Sequence, residues 1–465
     1  MPSGNGSAVT NDGQWLDENF PLHHAVFHND VKKLEQLLEQ GPAVRDTIDR
    51  VDTHGNSALH IACMLGRREC IELLLSHGAS IGAKNNLEWN CLHEAVSYGD
   101  RNILEMMLTA LKKQSHETLT GRLPLLAEHF SKLGDFYMET KWEVFSWIPL
   151  VSRLLPFDTF KIYKKGSRLR VDLTLIGFND RGAVPKWERG DVSLLLDMTA
   201  TDGRKAVLMD HQKKVYQVLH AKNRNLREEL ECLMSTDISS IHISTRPIHF
   251  VQAKSLLLFP KSEYVGKYKA HIYNIKGMQL VTQKRREHLS EEDLKLNKEM
   301  QSFFTDGNLP ARDVNTEGPD PQHQRPSLSP PPQPGLNWSQ YLRAADKNSH
   351  LGRQMHEKVS TKECNGTVAM SSDFPLSLDV VLDILSVLEP LNPTMAKLRN
   401  LCTARLPPGF PVRVEMPIYA TIQARISFEH FNWCGSGEGA APPLSAALFK
   451  IPDNYHEDPK RFKRV

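Results

Sequence analysis

Apolar residues recur at helical spacing in three similar units near the start of the chain. The second and third units lie 33 residues apart, so that Leu92 and His93 repeat Leu59 and His60, and Leu22 opens the first unit 37 residues before the second. Each unit predicts two short helices that bury one apolar stripe. A period of this length indicates a solenoid in which neighbouring units complete each other's core.

These units resemble ankyrin repeats, with a T-P-L-H-like "SALH" at the start of the second unit and "HGA" at its end. His60 and His93 predict side chains that bond the backbone between neighbouring repeats, since no partners at metal-ligand spacing accompany them. The turn glycine Gly55 becomes Glu88 in the third unit and Glu18 in the first, which puts the tight turns there in doubt.

The stretch after the repeats is rich in aromatic residues. Phe130, Leu133 and Phe136 follow close to helical spacing and predict a helical cap laid on the third repeat. Trp142 and Trp147 then carry the apolar pattern into the next domain. We interpret these aromatics as interdomain core in preference to an exposed patch that binds a client protein.

From residue 161 onward the period changes to that of strands. Leu169, Val171 and Leu173 alternate with polar residues, as a half-buried strand requires. Further strands are predicted over 238–252 and over 268–286, with a turn at Gly277. The clearest alternation runs over 411–428, where Pro417 indicates an edge or a bulge.

These patterns predict an α+β fold in which a short ankyrin solenoid of about three repeats packs on a mixed, largely antiparallel β-rich domain with helices. Eight prolines between Thr305 and Gly335 indicate an extended, solvated linker or loop. The predicted divisions are a disordered N-terminus (1–18), ankyrin repeats (19–115), a helical cap or connector (116–160), a first β-rich part (161–304), the Pro-rich linker or loop (305–335) and a second β-rich part (336–465).

Composition narrows the function classes. The 57 basic and 55 acidic residues give a net charge of +2, which provides no global attraction to nucleic acid. The basic clusters at 283–289 and at the C-terminus are interpreted as solvated faces. Seven cysteines without a C-x-x-C pair suggest reduced thiols, and the start of the chain lacks a secretory signal, so we expect a cytosolic protein. The apolar stretch Val144–Leu155 is too short and too interrupted to span a bilayer.

The sequence lacks the common catalytic and nucleotide-binding motifs. The sequence has no phosphate-binding G-x-x-x-x-G-K-[ST], no G-x-S-x-G and no H-E-x-x-H. Cys63 and Cys70 occupy small buried positions of the repeat and are interpreted as core thiols. The sequence therefore predicts no catalytic, metal or cofactor site, and a protein that is not an enzyme.

Several long stretches beyond the repeats carry a further resemblance. They include "LGDFYMETKWEVFSWIPLVSRLLP", "KRREHLSEEDL", "SLSPPPQ", "FPLSLDVVLDIL", "LPPGFPVRVEMPIYATI" and "IPDNYHEDPKRF". Together with the repeats, they make the chain resemble the ankyrin-repeat-domain-13 family, and its C-type branch in particular, whose second part is called a GPCR-chaperone domain. The resemblance implies a non-enzymatic chaperone or adaptor, peripheral on the cytosolic face of the endoplasmic reticulum membrane, that binds newly made G-protein-coupled receptors and restrains their exit.

Two other functions compete with this one. Other branches of the family resemble endocytic adaptors with ubiquitin-interacting helices, which need an acidic run, then an alanine, then a serine. Here "EEDLKLNKEMQS" has the acids and Ser302, but Asn297 stands where alanine is needed, so we expect no ubiquitin binding. A lipid-binding or enzymatic β-rich domain would show a large apolar pocket with convergent polar groups.

Repeat position suggests which side chains contact a client. Ankyrin stacks bind proteins through their loop tips and their concave helical face. Residues of the connector offer a second surface. The candidate contacts are Arg67, Arg68, Trp89 and Tyr98 in the repeats, expected to be exposed, and Trp142 and Trp147 beside them.

Overall fold

An ankyrin stack followed by one large mixed sheet makes up the computed structural model, which confirms the predicted α+β class. The predicted disordered N-terminus, most of the Pro-rich stretch and most of 389–405 lie outside the described residues. The described residues are 19–40, 47–179, 186–200, 205–219, 226–244, 248–255, 258–306, 324–344, 350–388, 399, 406–419, 421–435, 441–459 and 461–462.

Six helices form three ankyrin units. Pro21 begins the first helix, where its missing N–H is harmless, and Asn90 begins the fifth by accepting a hydrogen bond from the His93 N–H. Gly66 and Gly99, both in the left-handed conformation, end the third and fifth helices, which are the inner helices of the second and third units. The helices are α1 (Pro21–Phe27), α2 (Val31–Glu39), α3 (Ala58–Leu65), α4 (Arg68–Ser76), α5 (Cys91–Tyr98) and α6 (Arg101–Lys132).

The histidines of the repeat motif connect neighbouring units. The His60 Nε2 lies 3.2 Å from the Trp89 carbonyl oxygen, and the His23 Nε2 lies 3.0 Å from that of Asn56. Burial lowers the pKa of both imidazoles, which therefore act as neutral hydrogen-bond donors. The predicted role of His60 is confirmed.

The finger turns between repeats keep one geometry despite different residues. Gly55 has a φ of 76° and its N–H donates to the Asp52 carbonyl, whereas Glu88 has a φ of 67° and donates to Asn85. The tight turn therefore persists in the third unit, and Glu88 adopts a backbone conformation that suits glycine.

The two turns yield opposite predictions for stability. Gly55→Ala should lower the free energy of unfolding by about 2 kcal/mol or more, because its Cβ would lie 2.4 Å from the Asn86 Oδ1 at positive φ. Glu88→Gly should raise it by about 1 kcal/mol, because the strain is removed and only an exposed ion pair with Lys84 is lost. Urea unfolding followed by circular dichroism measures both; a destabilised Glu88→Gly protein would contradict the strain argument.

The prediction of a helical connector over residues 116–160 is wrong in the second half of that range. Helix α6 continues from the third repeat to Lys132, but residues Phe136–Ser146 form a strand, β1, paired on both sides. The helical spacing of Phe130, Leu133 and Phe136 continues by coincidence across Gly134, where the helix has already ended. Within β1 the alternation of large apolar and charged residues is typical of a strand and decides the structure.

The sheet runs through most of the remaining chain. Besides β1, its strands are β2 (Phe157–Lys165), β3 (Arg168–Asn179), β4 (Lys186–Asp197), β5 (Ala206–Asp210), β6 (Val215–Val218), β7 (Ile238–Ser244), β8 (His249–Gln252), β9 (Ser262–Val265), β10 (Tyr268–Arg285), β11 (Glu357–Ser371), β12 (Phe410–Tyr419), β13 (Ile422–Trp433) and β14 (His456–Glu457). The strand order is β14-β6-β5-β4-β3-β2-β1-β13-β12-β11-β10-β7, with β8 and β9 also paired to β10. The ladders are antiparallel except that between β14 and β6.

Two strand predictions need correction. Gly277 does not turn the chain: its positive φ lies at a register shift within the continuous strand β10. The alternation over 411–428 belongs to a hairpin, β12 and β13, rather than to one strand. The predicted irregularity at Pro417 is confirmed by a register shift between Pro417 and Tyr419.

The sheet curls so that the β9–β10 turn meets β13. The Tyr268 hydroxyl donates to the Phe431 carbonyl and accepts from its N–H, both at 3.1 Å, and the Lys267 ammonium donates to Asn432. Aromatic residues fill the enclosed space, where Phe374 and Phe410 stack with ring centroids 4.2 Å apart.

Among the described residues, five further helices lie around the stack and the sheet. The helix Leu226–Ser235 covers the last repeat, since Lys112 and Arg101 of α6 form ion pairs with its Glu229 and Glu231. No helix among the described residues is long and apolar enough to cross a membrane. The helices are α7 (Pro149–Arg153), α8 (Leu226–Ser235), α9 (Glu291–Asp306), α10 (Trp338–Arg343) and α11 (Leu378–Leu388).

Candidate functional site

The inner-helix surface of the ankyrin stack, where such stacks commonly hold partner proteins, is occupied by the chain itself. The described residues of 324–353, which we call the covering segment, contribute Trp338, Tyr341, Leu342 and Leu351 to the apolar core of the repeats. This segment contains the end of the predicted Pro-rich linker or loop, residues 324–335. These residues are irregular and mostly exposed, and they also contact the stack.

The first part of the covering segment follows the turns between inner and outer helices. The Leu328 N–H donates to the Gly99 carbonyl at 3.0 Å, and the Ser327 hydroxyl accepts from the Arg101 N–H at 2.9 Å. Leu328 fills the space above Gly99, where a Cβ would lie 2.5 Å from its side chain. These backbone contacts hold an extended peptide against the stack.

Helix α10 brings Tyr341 into the finger of the second repeat. The Tyr341 hydroxyl donates to Asp52 at 2.7 Å and accepts from Asn56 at 2.9 Å. Burial, together with Asp52, raises the pKa of Tyr341 well above its ordinary value, so the phenol keeps its proton as a donor. The ring of Trp338 contacts Phe27 with centroids 5.4 Å apart. The Tyr341 hydroxyl thus has a hydrogen-bond acceptor and a hydrogen-bond donor as partners within the chain.

The end of the covering segment closes helix α5. The Arg353 guanidinium donates to the carbonyl oxygens of Ser97 and Tyr98, each at 3.1 Å, and to that of Ser329 at 2.9 Å. A cation at the carbonyl end of a helix satisfies free acceptors and complements the helix dipole. Arg353 thereby ties both parts of the covering segment to the third repeat.

A buried cluster of charges joins the stack to the sheet. The Arg285 guanidinium at the end of β10 is 0% exposed and donates to both oxygens of Glu94 in α5, at 2.9 and 3.2 Å. Its other contacts are Glu287 at 2.6 Å and the face of Trp89, 5.2 Å from the ring centroid. The His350 Nε2 lies 3.0 Å from Glu94.

The directions of the pKa shifts indicate that both carboxylates of this cluster stay ionised. Burial alone raises the pKa of Glu94, but Arg285 and His350 outweigh burial and lower it well below the ordinary range. Burial likewise opposes ionisation of Glu287, whose pKa Arg285 and the Ser97 hydroxyl nevertheless lower. We call Arg285, Glu94, Glu287 and His350 the charged joint. It is a fixed electrostatic contact rather than a proton-transfer site, because each carboxylate is held in its ionised form.

The structure separates the four candidate contacts of the repeats. The predicted exposure of Trp89 is wrong, since its side chain is fully buried between His93 and the Arg285 guanidinium. Tyr98 is half-buried against Gly66, and Arg67 is half-buried with its guanidinium 3.5 Å from the Gln333 side chain. Arg68 is exposed at the start of α4. The covering segment excludes an outside partner from most of this surface.

The two tryptophans of the connector also differ. Trp142 lies in β1, half-buried, with its ring centroid 5.9 Å from that of Phe160. Trp147, just beyond the end of β1, is 75% exposed. The interpretation of both as interdomain core is wrong for Trp147, because β1 ends at Ser146 and the Trp147 side chain beyond it lies mostly in solvent.

Sequence reasoning missed the residues that close the stack. Arg285 stood in a basic cluster interpreted as solvated, and nothing in its neighbourhood reveals that Glu94 lies 191 positions away in sequence. A signal did exist for α10, where Trp338, Tyr341 and Leu342 follow helical spacing after an Asn337 cap. Such an apolar stripe on a six-residue helix indicates docking onto a larger body.

Groups suited to chemistry are sparse. Within the described ranges, no cluster of three or more His, Cys, Asp or Glu side chains is placed to hold a metal ion. Burial raises the pKa of the Cys70 thiol to about 11, which keeps it from acting as a nucleophile. A depression between Arg168, Asp197 and Phe449 has a volume of about 250 Å³, less than the several hundred Å³ typical of small-molecule sites.

Comparison with known proteins identifies the family. The family described as "ANKRD13 C-terminal" matches residues 170–462, and ankyrin repeats in three copies match residues 5–85 and 22–118. The chain is 40% identical to human ankyrin repeat domain-containing protein 13C, over 98% of this chain and 81% of that protein. The chain belongs to the ankyrin-repeat-domain-13 family.

Two further relatives, one of the 13C type and one of the 13B type, also match most of this chain. The Xenopus laevis 13C-B protein is 41% identical over 98% of this chain and 85% of its own length. The mouse 13B protein is 33% identical over 89% of this chain and 68% of its own length. The ankyrin-repeat-domain-13 pattern of repeats followed by a β-rich part thus extends across nearly the whole chain.

Because of the charged joint, Arg285 should contribute far more to the free energy of unfolding than its neighbour Arg286. Arg285→Met should lower the free energy of unfolding by about 3–5 kcal/mol, because it leaves Glu94 and Glu287 buried without their cation. Arg286→Met is the matched control: Arg286 is more than one-third exposed and pairs with Asp237, so about 1 kcal/mol or less is expected. Thermal and urea unfolding measure both, and equal losses would contradict a structural role for the joint.

The third repeat should lose stability in mild acid. Burial, opposed by Glu94 and reinforced by Arg285, lowers the pKa of His93 from 6.5 to about 4. Between those values the unfolded chain binds a proton that the folded chain does not, so stability falls as the pH drops through this window. His93→Gln retains a side chain suited to the capping box. Its urea midpoint should change less between pH 7 and 5 than that of the wild type; an unchanged dependence would contradict this assignment.

Proposed function

We propose that the protein is a non-enzymatic chaperone or adaptor that binds newly made G-protein-coupled receptors on the cytosolic face of the endoplasmic reticulum and restrains their exit. Membership of the ankyrin-repeat-domain-13 family supports the proposal, as does the match of residues 170–462 to the C-terminal domain of that family. Ankyrin repeats are protein-interaction modules, and the residues of the charged joint are committed to internal contacts rather than to chemistry.

One observation carries the protein-binding part of this proposal: Trp147 is 75% exposed. Tryptophan supplies a large apolar area together with one donor, and it is enriched among the residues that dominate binding energy at interfaces. The ladder pairs Ser146 with Ile422 at this end of the sheet, where Ile418 of the neighbouring strand is also exposed. An apolar receptor segment fits such a surface.

The position of the covering segment directs the client to this surface. A client that used the inner helices of the stack would have to remove Tyr341 from Asp52 and Asn56, and Arg353 from the end of α5. Each removal exposes buried polar groups that lack other partners, which is unfavourable. We therefore place the receptor at the Trp147 end of the sheet and assign the ankyrin stack the role of a rigid support.

The proposed mechanism is stoichiometric shielding. The protein holds an apolar cytosolic segment of the receptor until folding of the receptor buries or repositions that segment. Binding and release need no covalent step, so the amount of retained receptor should scale with the amount of protein present.

Co-precipitation of a newly synthesised receptor with the full chain tests the proposal. Trp147→Ala should reduce recovery of the receptor at least tenfold, because an interface loses its aromatic anchor. Arg68→Ala, an exposed candidate on the ankyrin side, should leave recovery unchanged. The opposite pattern would contradict the assignment and return the client to the stack. Trp89→Ala is unsuitable here because it removes a buried side chain.

A second readout separates the alternative, a ubiquitin-directed endocytic adaptor. Proximity labelling in intact cells should mark receptors at the endoplasmic reticulum, whereas the alternative requires ubiquitinated cargo at endosomes. The structure gives the alternative little support, because the Asn297 side chain, at the position that requires alanine, donates to the Ser235 carbonyl at 3.2 Å. Binding of purified protein to ubiquitin chains would favour the alternative.

A further inference from the structure

The free edge of the sheet beside β10 carries a projecting loop. Strand β8 pairs with residues 273–276 of β10, and β9 pairs with residues 268–271, so the two short strands follow one another along a single edge. Between them the chain leaves the edge at Ala253 and returns at Lys261, whose N–H donates to the Ala253 carbonyl at 2.8 Å. We call the described residues between Ala253 and Ser262 the edge loop.

The tip of the edge loop presents two large apolar side chains to solvent. Leu258 is 74% exposed and Phe259 is 68% exposed. Hydrogen bonds from the Leu258 N–H to the Ser255 carbonyl at 3.0 Å, and from the Ser255 N–H to the Phe259 carbonyl at 2.8 Å, close the turn. The turn therefore holds both side chains away from the core of the sheet.

Leu258 also has an unfavourable backbone. Its φ of 63° lies in the left-handed region, which a large L-residue rarely adopts and which glycine or asparagine would occupy at lower energy. The fold gains nothing from a leucine here, because its side chain makes little contact with the rest of the protein. A strained, exposed apolar residue indicates a role outside the folded chain.

The surroundings of the tip are basic. Lys254, Lys261, Lys267 and Lys269 are all exposed along this edge. The acidic residue of the same stretch, Glu263, forms an ion pair with Arg413 and is thereby neutralised. Lys254 and Lys261 flank the apolar tip directly, and Lys267 and Lys269 follow at the far end of β9. An apolar tip flanked by cations matches a membrane, whose surface is negative and whose interior is apolar.

Tyr264 adds the third feature of such a surface. Its side chain is 72% exposed on β9, next to the edge loop. Tyrosine has an apolar ring and a polar hydroxyl, and it is enriched at the boundary between lipid headgroups and acyl chains. A protein partner of ordinary size would instead cover about 800 Å² of surface per partner, with an interface core depleted in charge.

We propose that the edge loop attaches the protein to anionic phospholipid membranes, with Leu258 and Phe259 inserted below the headgroups and Lys254 and Lys261 bound to phosphates. Two apolar side chains and a few lysines give reversible, peripheral attachment that weakens with salt. The proposal concerns the lipid alone. It is independent of the receptor surface at Trp147, so either proposal can fail without the other.

Vesicle flotation of the purified full chain, without any receptor, tests the edge loop. The wild type should float with vesicles that contain phosphatidylserine in phosphatidylcholine, and the bound fraction should fall at high salt. Leu258→Asn with Phe259→Ser should reduce the binding constant at least tenfold. Asparagine tolerates the left-handed conformation, so this variant should fold as stably as the wild type, which thermal unfolding checks. Lys254→Gln with Lys261→Gln should reduce binding to anionic vesicles in the same direction.

The matched control is Leu119→Asn with Leu125→Ser on helix α6, which removes two other exposed leucines and should leave binding unchanged. Absence of wild-type binding would overturn the proposal, as would full binding by the edge-loop variant or an equal loss in the control. Equal binding to vesicles of phosphatidylcholine alone would overturn the role of the lysines.

Discussion

The Arg285 guanidinium, held without solvent between Glu94 and Glu287, is the interaction on which the arrangement of the molecule depends. Bringing these charges out of water is unfavourable, and only short, two-pronged contacts compensate for it. Such a joint tolerates little displacement of its partners. Because Glu94 belongs to the last ankyrin repeat and Arg285 to the end of β10, the joint fixes the stack and the sheet in one relation. The stack is thus part of a larger folded body and not a separate module on a flexible linker.

That constraint explains why the inner surface of the repeats is filled. With the stack held against the end of β10, the covering segment crosses the inner helices, and its Tyr341 and Arg353 satisfy polar groups that a partner would otherwise meet. His350 contacts Glu94 directly, so the covering segment and the charged joint stabilise each other. Both surfaces proposed for partners, the Trp147 end and the edge loop, lie on the sheet. In that proposal the ankyrin repeats contribute rigidity, whereas their usual role is recognition.

Patterns among residues close in sequence correctly predicted the ankyrin repeats and several strands. The period of 33 residues located the repeats, and alternation located strands such as β3 and β13, since both signals arise from neighbours in the chain. Predictions failed where distant residues decide. The burial of Trp89 needs Arg285, and the contact of Leu328 with Gly99 needs a segment that its prolines indicate to be solvated. At Phe136 two periods competed, and pairing with β13 decided in favour of the strand.

The Trp147 surface and the β9–β10 turn lie at opposite ends of one strand. Trp147 follows Ser146, which pairs with Ile422 at the start of β13, whereas the Lys267 ammonium of that turn donates to Asn432 near the end of β13. Ten strand residues separate these points by about 33 Å at roughly 3.3 Å per residue. The edge loop lies at the other end of β9 from this turn, beside β10 rather than beside β1. The surfaces proposed for receptor and lipid are therefore formed by different strands and do not overlap, so a receptor segment at Trp147 does not compete with lipid at the edge loop.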